Sequence, residues 1–432
     1  MKAWRPSTWG DEISLEYGKA LRGYELARGP VRVFGSNGPV GWTDKALATG
    51  PGVILGRKGA YRLQYSEGDF FVIDTAYYVV PKADLDMRWL YYAIQYHKLG
   101  EIDDGSPIPS TTRAAVYVRE LDVPPKDVQR EMARILESID NKIDLNRRIN
   151  KTLESMAQAI FQSWFVDFDP VKAKIAAKAE GRDPLRAAMS AICGKADAEL
   201  DALPPAQYEQ LAATAALFPD EMEASELGGI PKGWAVCPLP ECVGINPARA
   251  LKKGAVAPYL DMANVPTNAA RVDNVITRAF GSGSKFINGD TLLARITPCL
   301  ENGKTAYVDF LADGEVGWGS TEFIVLRPKV GLPLPFAYFL CRHPEFRAFA
   351  ISQMAGTSGR QRVPNDCFGS YKVVKPSVLI AEAFGKQTTQ FMRQIKSLDE
   401  ESKTLAGLRD ALLPRLLSGE LQVPHAEAEA VA

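Results

Sequence analysis

The stretch Leu136-Glu137-Ser138-Ile139-Asp140-Asn141-Lys142-Ile143 sits in a segment that fixes the architecture. Two columns at heptad spacing pass through it: Leu136, Ile143, Asn150, Ala157, Trp164, and Ile139, Asn146, Leu153, Ile160. This spacing predicts one long helix with a coiled-coil seam that two asparagines interrupt. Pro125 suits the first turn of that helix, which the pattern carries to about Phe165. About 40 residues at helical rise span roughly 60 Å. A second such column is Phe384, Phe391, Leu398, Leu405, Leu412, after Pro376. Ile143 and Ile395, Leu153 and Leu405, and Ile160 and Leu412 are each 252 residues apart, so the second helix copies the first in register. Pro414 is expected to kink or end it, with Gly419 as a terminator.

The copy extends upstream of both helices. A first lead-in, Pro6-Ser7-Thr8-Trp9-Gly10, opens a strand-rich stretch that closes on Leu121-Asp122-Val123-Pro124-Pro125. A second, Gly229-Ile230-Pro231-Lys232-Gly233-Trp234, opens one that closes on Tyr371-Lys372-Val373-Val374-Lys375-Pro376. Val53–Gly56, Phe70–Ile73, Thr75–Val80 and Phe323–Leu326 read as strands and Gly35–Gly38 as a turn. Met87–His97 reads as a helix, matched in the second half by Pro335–Phe346. The expected fold is α+β: two similar globular domains separated by a long antiparallel two-helix coiled coil, with pseudo-two-fold symmetry. The boundaries are 1–125, 126–166 (first helix), 167–228 (an Ala-rich, Pro-broken insertion with no counterpart), 229–375, 376–420 (second helix) and 421–432 (a small, acidic tail).

Neither helix can bury its stripe alone. Each packs on its own globular domain or on the other helix, and the duplication favours the second arrangement. The seam is then built from Leu136, Ile139, Ile143, Asn150, Leu153 and Ile160 against Phe391, Ile395, Leu398, Ser402, Leu405 and Leu412. Asn150 and its copy Ser402 either set the helix register or face solvent.

The chain has 432 residues and a net charge of −1. Residues 230–375 carry 17 Lys+Arg against 11 Asp+Glu, whereas residues 1–125 carry 15 of each. The second globular stretch therefore has the charge of a phosphate-binding surface and the first does not. No apolar run reaches the length of a membrane span, and Met1–Pro6 lacks a signal core, so a cytoplasmic location is the default expectation. Six scattered Cys without a C-x-x-C pair and three His point to reduced thiols rather than zinc.

Enzyme signatures fail on inspection. Pro364-Asn365-Asp366-Cys367-Phe368 has the wrong order for a methyltransferase catalytic string. Gly303-Lys304-Thr305 ends like a P-loop, but Pro298 stands where its first glycine belongs. Pro219-Asp220 has no Glu-x-Lys in the next thirty residues. Catalysis by the chain alone is not expected.

The order of parts resembles the DNA specificity subunit of type I restriction–modification systems. Four strings carry the resemblance, which covers nearly the whole chain. They are Gly105–Ser110 with Leu121–Pro125 and Gln129; Gln162–Pro170; Leu227–Trp234; and Leu412–Leu421. The resemblance implies a non-catalytic subunit that binds double-stranded DNA. Each globular part is a target recognition domain for one half of a bipartite site. The helices set the spacing and dock two modification (methyltransferase) subunits, through which restriction (translocase-nuclease) subunits join. S-adenosylmethionine, ATP and magnesium are expected on those partners, with no cofactor or metal on this chain. The pattern departs at Pro124-Pro125-Lys126 and at Lys375-Pro376-Ser377, where the second copy lacks the Gln. A stand-alone DNA methyltransferase, or a scaffold that has lost DNA recognition, are the other readings.

DNA contact needs Arg, Asn or Gln for base edges and Lys, Ser or Thr for phosphates. Candidates in the first half are Ser36, Asn37, Arg57, Lys58, Tyr61, Arg62, Ser110, Thr111, Thr112 and Arg113. In the second they are Lys252, Lys253, Arg295, Thr297, Lys304, Ser358, Arg360, Gln361 and Arg362. The segments 110–113 and 358–362 occupy the same place in the repeat and form the leading pair.

Overall fold

A computed structural model describes residues 4–57, 63–102, 111–357 and 359–423. The architecture is α+β, and it divides into two compact units, residues 1–145 with 401–432, and residues 146–400. Two helices of 40 residues each, Lys126–Phe165 and Val378–Leu417, contribute to both.

In the first unit, strands Arg5–Thr8 and Glu120–Val123 pair antiparallel. A four-stranded sheet follows in the order 13–17, 76–81, 52–56, 63–66, and a three-stranded sheet in the order 38–43, 31–35, 70–72. The Met87–Tyr96 helix starts where the Asp86 side chain accepts the Arg88 and Trp89 N–H groups. Trp9, Trp89, Leu90 and Ala93 form a core with Met132 and Leu136 of the first long helix and Leu413, Leu416 and Leu417 of the second. Buried Gln129 ties this together: its amide donates to the Pro124 carbonyl and its oxygen accepts the Asp86 N–H, both at 2.8 Å. That explains the Gln after the paired prolines. The residue 252 positions on is Ala381, which is also buried.

The second unit repeats the plan. Strands Ala235–Pro238 and Lys372–Lys375 pair antiparallel. One four-stranded sheet has the order 243–245, 323–328, 291–294, 305–307, and the other 276–279, 256–260, 317–319, 284–286. Main-chain bonds recur at equivalent points. Trp9 N–H donates to the Arg119 carbonyl and Leu239 N–H to the Tyr371 carbonyl; Arg57 N–H donates to Thr75 and Arg295 N–H to Glu322. The lead-ins therefore align differently from the sequence expectation. Trp4 and Trp234 each stand just before the paired strand, and Trp9 corresponds to Leu239. The unit's core is aromatic: Phe165 lies 4.8 Å from Phe384 and 5.5 Å from Phe336, and Phe161 lies 5.2 Å from Phe336.

The long helices run antiparallel in each unit. In the first, Arg409 pairs with Asp140 at 2.8 Å and Lys142 with Glu401 at 3.4 Å. In the second, Asn146 donates to the Leu398 carbonyl at 3.4 Å and Asn150 to the Ile395 carbonyl at 3.2 Å. Asn150 thus faces the opposite helix, not solvent. Leu136, Ile139, Ile143 and Leu153 are buried, and Ile160 is half-buried. The second helix differs from expectation. Phe384 is fully buried, while Phe391, Leu398, Leu405 and Leu412 are half-buried. Its more buried line is Ala381, Thr388, Ile395 and Leu416, with Ser402 half-buried between them.

Three helix limits also depart from the sequence reading. Ser377 caps the second long helix by accepting the Ile380 N–H at 3.5 Å, so Pro376 lies outside it. Pro414 does not end that helix, which continues to Leu417 because Leu413, Leu416 and Leu417 are held in the first core. Gly419, at φ +75°, stops it. The expected helix 335–346 is two, Pro335–Arg342 and Pro344–Ser352, since the residue before a proline is driven out of the helical region. Helices Pro184–Cys193 and Pro205–Ala216 form a small cluster around Ala188, Met189, Leu200 and Ala215, and helix Asp169–Ala179 packs on the first of them. Phe218 then stacks edge-on against Trp164 at 5.0 Å.

Glu154 of the first helix accepts the Ala270 N–H at 2.9 Å and the Tyr338 hydroxyl. Burial pushes its carboxyl above the ordinary range, against the Tyr338 bond and Arg342. Asp309, beside Arg271, is raised by burial too. A raised folded pKa gives stability that is complete below the ordinary carboxyl range and declines as pH rises through the folded value. Glu154→Gln should therefore flatten the fall in chemical-denaturation stability of the wild type above about pH 4. Asn150→Ala, which removes one interhelical bond, should cost about 1 kcal/mol in the same measurement.

Candidate nucleic-acid interface

In the first unit the strand 52–56 ends at Arg57, whose carbonyl accepts the Thr111 N–H at 3.2 Å. The side chain reaches Tyr17, with its guanidinium carbon 5.2 Å from the ring centroid. Arg113 lies over the same ring at 4.1 Å and sits 3.6 Å from Glu16. Two guanidinium groups are therefore held by one half-exposed phenol, and cation–aromatic contact fixes their geometry. A hydrogen bond with Tyr77 and the charges of Arg113 and Arg57 lower the Tyr17 pKa, while burial pushes Tyr77 up to about 12. Residue type marks Arg57 and Arg113 separately. Residue type misses Tyr17 and Tyr77, although an aromatic pair at two strand ends was the available signal.

The other first-half candidates scatter. Ser36 is tied to Thr75, its N–H donating to Oγ1 and its hydroxyl to the carbonyl. Asn37 is exposed in the turn. Thr112 uses its hydroxyl to cap the Arg113–Tyr117 helix. Thr111, expected at the surface, is buried, and its hydroxyl donates to the Gly100 carbonyl at 3.5 Å. Lys58, Tyr61, Arg62, Ser110 and, in the second half, Ser358 lie outside the described residues.

The second unit gathers Arg295, Thr297, Gln361 and Arg362. The Val363 N–H donates to the Arg295 carbonyl at 2.9 Å, matching Thr111 on Arg57. Thr297 and Gln361 exchange main-chain contact, and the Thr297 hydroxyl accepts the Gln361 N–H at 3.2 Å. Arg362 forks onto Glu322 at 2.8–2.9 Å, which neutralises its charge, and Arg360 beside it is exposed. Lys252 and Lys253 are exposed in a separate turn. Lys304 is half-buried, and its ammonium donates to the Met262 carbonyl at 2.6 Å and to Ala263 at 3.3 Å, so it braces a loop. An unforeseen patch lies on the second sheet, where exposed Arg278 stacks on Tyr259 at 5.0 Å beside Trp318.

Among the described residues, no group of three or more His, Cys, Asp or Glu could hold a metal ion. No described helix is long and apolar enough to cross a membrane.

Residues 36–155 match the family model described as the type I restriction modification DNA specificity domain. The chain is 28% identical over 398 residues to the type I restriction enzyme HindI specificity subunit of Haemophilus influenzae, covering 84% of each chain. It is 34% identical over 134 residues to the EcoAI specificity subunit of Escherichia coli, 31% of this chain and 22% of that one. The crystal structure of a type I restriction–modification S subunit from M. genitalium aligns over 96% of both chains with a TM-score of 0.51 at 16% identity, a likeness of fold.

Lys304→Ala separates bracing from binding. It should lower the thermal midpoint while leaving duplex affinity at matched salt within about twofold, since the ammonium would have to give up two main-chain carbonyls to reach a phosphate.

Proposed function

The chain belongs to the type I restriction–modification DNA specificity family, and on that premise we propose that each of its two copies reads one half of a split DNA target. The duplicated fold carries this reading: the same main-chain bonds place Arg57 with the 111–113 segment and Arg295 with the 360–363 segment. The recognition domains are residues 1–125 and 229–375. The helical regions 126–166 and 376–420 set the spacing between half-sites, and the 167–228 cluster links the halves or supports a partner. The chain binds double-stranded DNA and assembles with partner subunits. Those partners are two modification subunits, with restriction subunits joining through them, and the methyl donor, ATP and magnesium belong to the partners. Its role is recognition rather than catalysis. Neither a self-sufficient methyltransferase nor a scaffold without DNA recognition draws support from the relatives, which are specificity subunits.

Methylome sequencing of a host carrying this chain with its modification partner should reveal methylation at a two-part sequence with an unread spacer. Exchanging residues 229–375 for those of a relative should change one part only. A single continuous target, or methylation that persists without this chain, would overturn the reading.

A further inference from the structure

Arg57 and Arg295 are the same residue at the same point of the duplicated fold. Each ends an inner strand of a four-stranded sheet, 52–56 or 291–294. Each donates its N–H to the carbonyl of a residue leading into the neighbouring strand, Thr75 or Glu322, and each accepts an N–H from the returning segment, Thr111 or Val363. Both side chains are half-buried. In both, Nε is shielded from solvent and has no hydrogen-bond partner. Neither guanidinium makes an ion pair with a described carboxylate, although the nearby acids are engaged: Glu16 with Arg113, and Glu322 with Arg362. A half-buried, uncompensated charge costs stability. Here that cost occurs twice, at equivalent points, in sequences that otherwise differ around it.

We propose that Arg57 and Arg295 are paired phosphate anchors, each holding the DNA backbone at the same point of its own half-site. The proposal rests on the DNA-recognition reading above. A half-buried guanidinium has short reach, which suits backbone lying against the surface better than a base edge deep in a groove. The two terminal nitrogens of the guanidinium form a fork that matches two phosphate oxygens. In the first unit Tyr17 holds Arg57 in place, while the charge of Arg113 on the same ring is met by Glu16. That supplies a local phosphate site in a domain with no net positive charge.

The test uses the full chain with its modification subunit, a synthetic duplex carrying the methylated sequence, and a scrambled duplex of equal composition. Arg57→Gln and Arg295→Gln should each weaken binding about tenfold. Each should reduce the slope of log affinity against log salt by about 0.9. Ethylation interference should disappear at one phosphate, in a different half for each variant. Arg57→Lys and Arg295→Lys should keep the salt slope. The thermal midpoint of the free chain should hold or rise in the Gln variants. Unchanged affinity and slope, a relaxed preference at one base pair with the slope intact, or a midpoint drop of several degrees would each overturn the anchors. Wild-type protein that does not distinguish the two duplexes would instead overturn the recognition reading.

Discussion

A 40-residue helix with a single apolar stripe must find cover along its whole length, and each half of each long helix does so differently. Near the middle the two helices cover each other, with Asn146 and Asn150 donating across the seam to main-chain carbonyls. Toward the ends they become part of a domain: Leu136 and Leu416 in one core, Phe161, Trp164 and Phe384 in the other. The two packing options that periodicity leaves open are therefore both used, on different turns of the same helix. Neither buried Asn146 nor half-buried Asn150 can shift by a residue without losing its acceptor, so polar contacts restrict a seam that apolar packing alone would let slide.

The long helices were legible because a stripe repeated every seventh residue is a local signal, and the 252-residue offset made the duplication visible. Short buried strands such as 52–56 and 70–72 were legible for the same reason. What failed depended on long-range contacts or a single dihedral. The lead-ins were aligned on Trp9, but the strand pairing aligns Trp4 with Trp234. Pro344 broke one helix in two, while Pro414 was tolerated because its neighbours are buried. At the candidate interface, residue type found Arg57, Arg113 and Arg295. It could not tell that Thr111 is inside or that Lys304 is spent on carbonyls. Those facts arise from residues 11 and 42 positions away.

The copies keep their frame and exchange their chemistry. Where the first unit has Ser7 and Glu12 linked to Arg5, the second has Cys237 and Cys242, buried thiols with sulfur atoms 2.7 Å apart. The Arg57–Tyr17–Arg113 cluster lies in the first unit and the Arg278–Tyr259–Trp318 patch in the second. Main-chain bonds specify the frame and tolerate such changes, which lets two similar scaffolds present different surfaces.

The first unit is assembled from both ends of the chain, whereas the second is one continuous run. Leu413, Leu416, Leu417 and Val423 complete a core whose other members precede residue 145. During synthesis, the earlier-made half therefore waits with part of its interior open until the last helix emerges, while the later-made half has all its parts. A chain cut before residue 413 would hold every residue of the second unit while the first lacked part of its core.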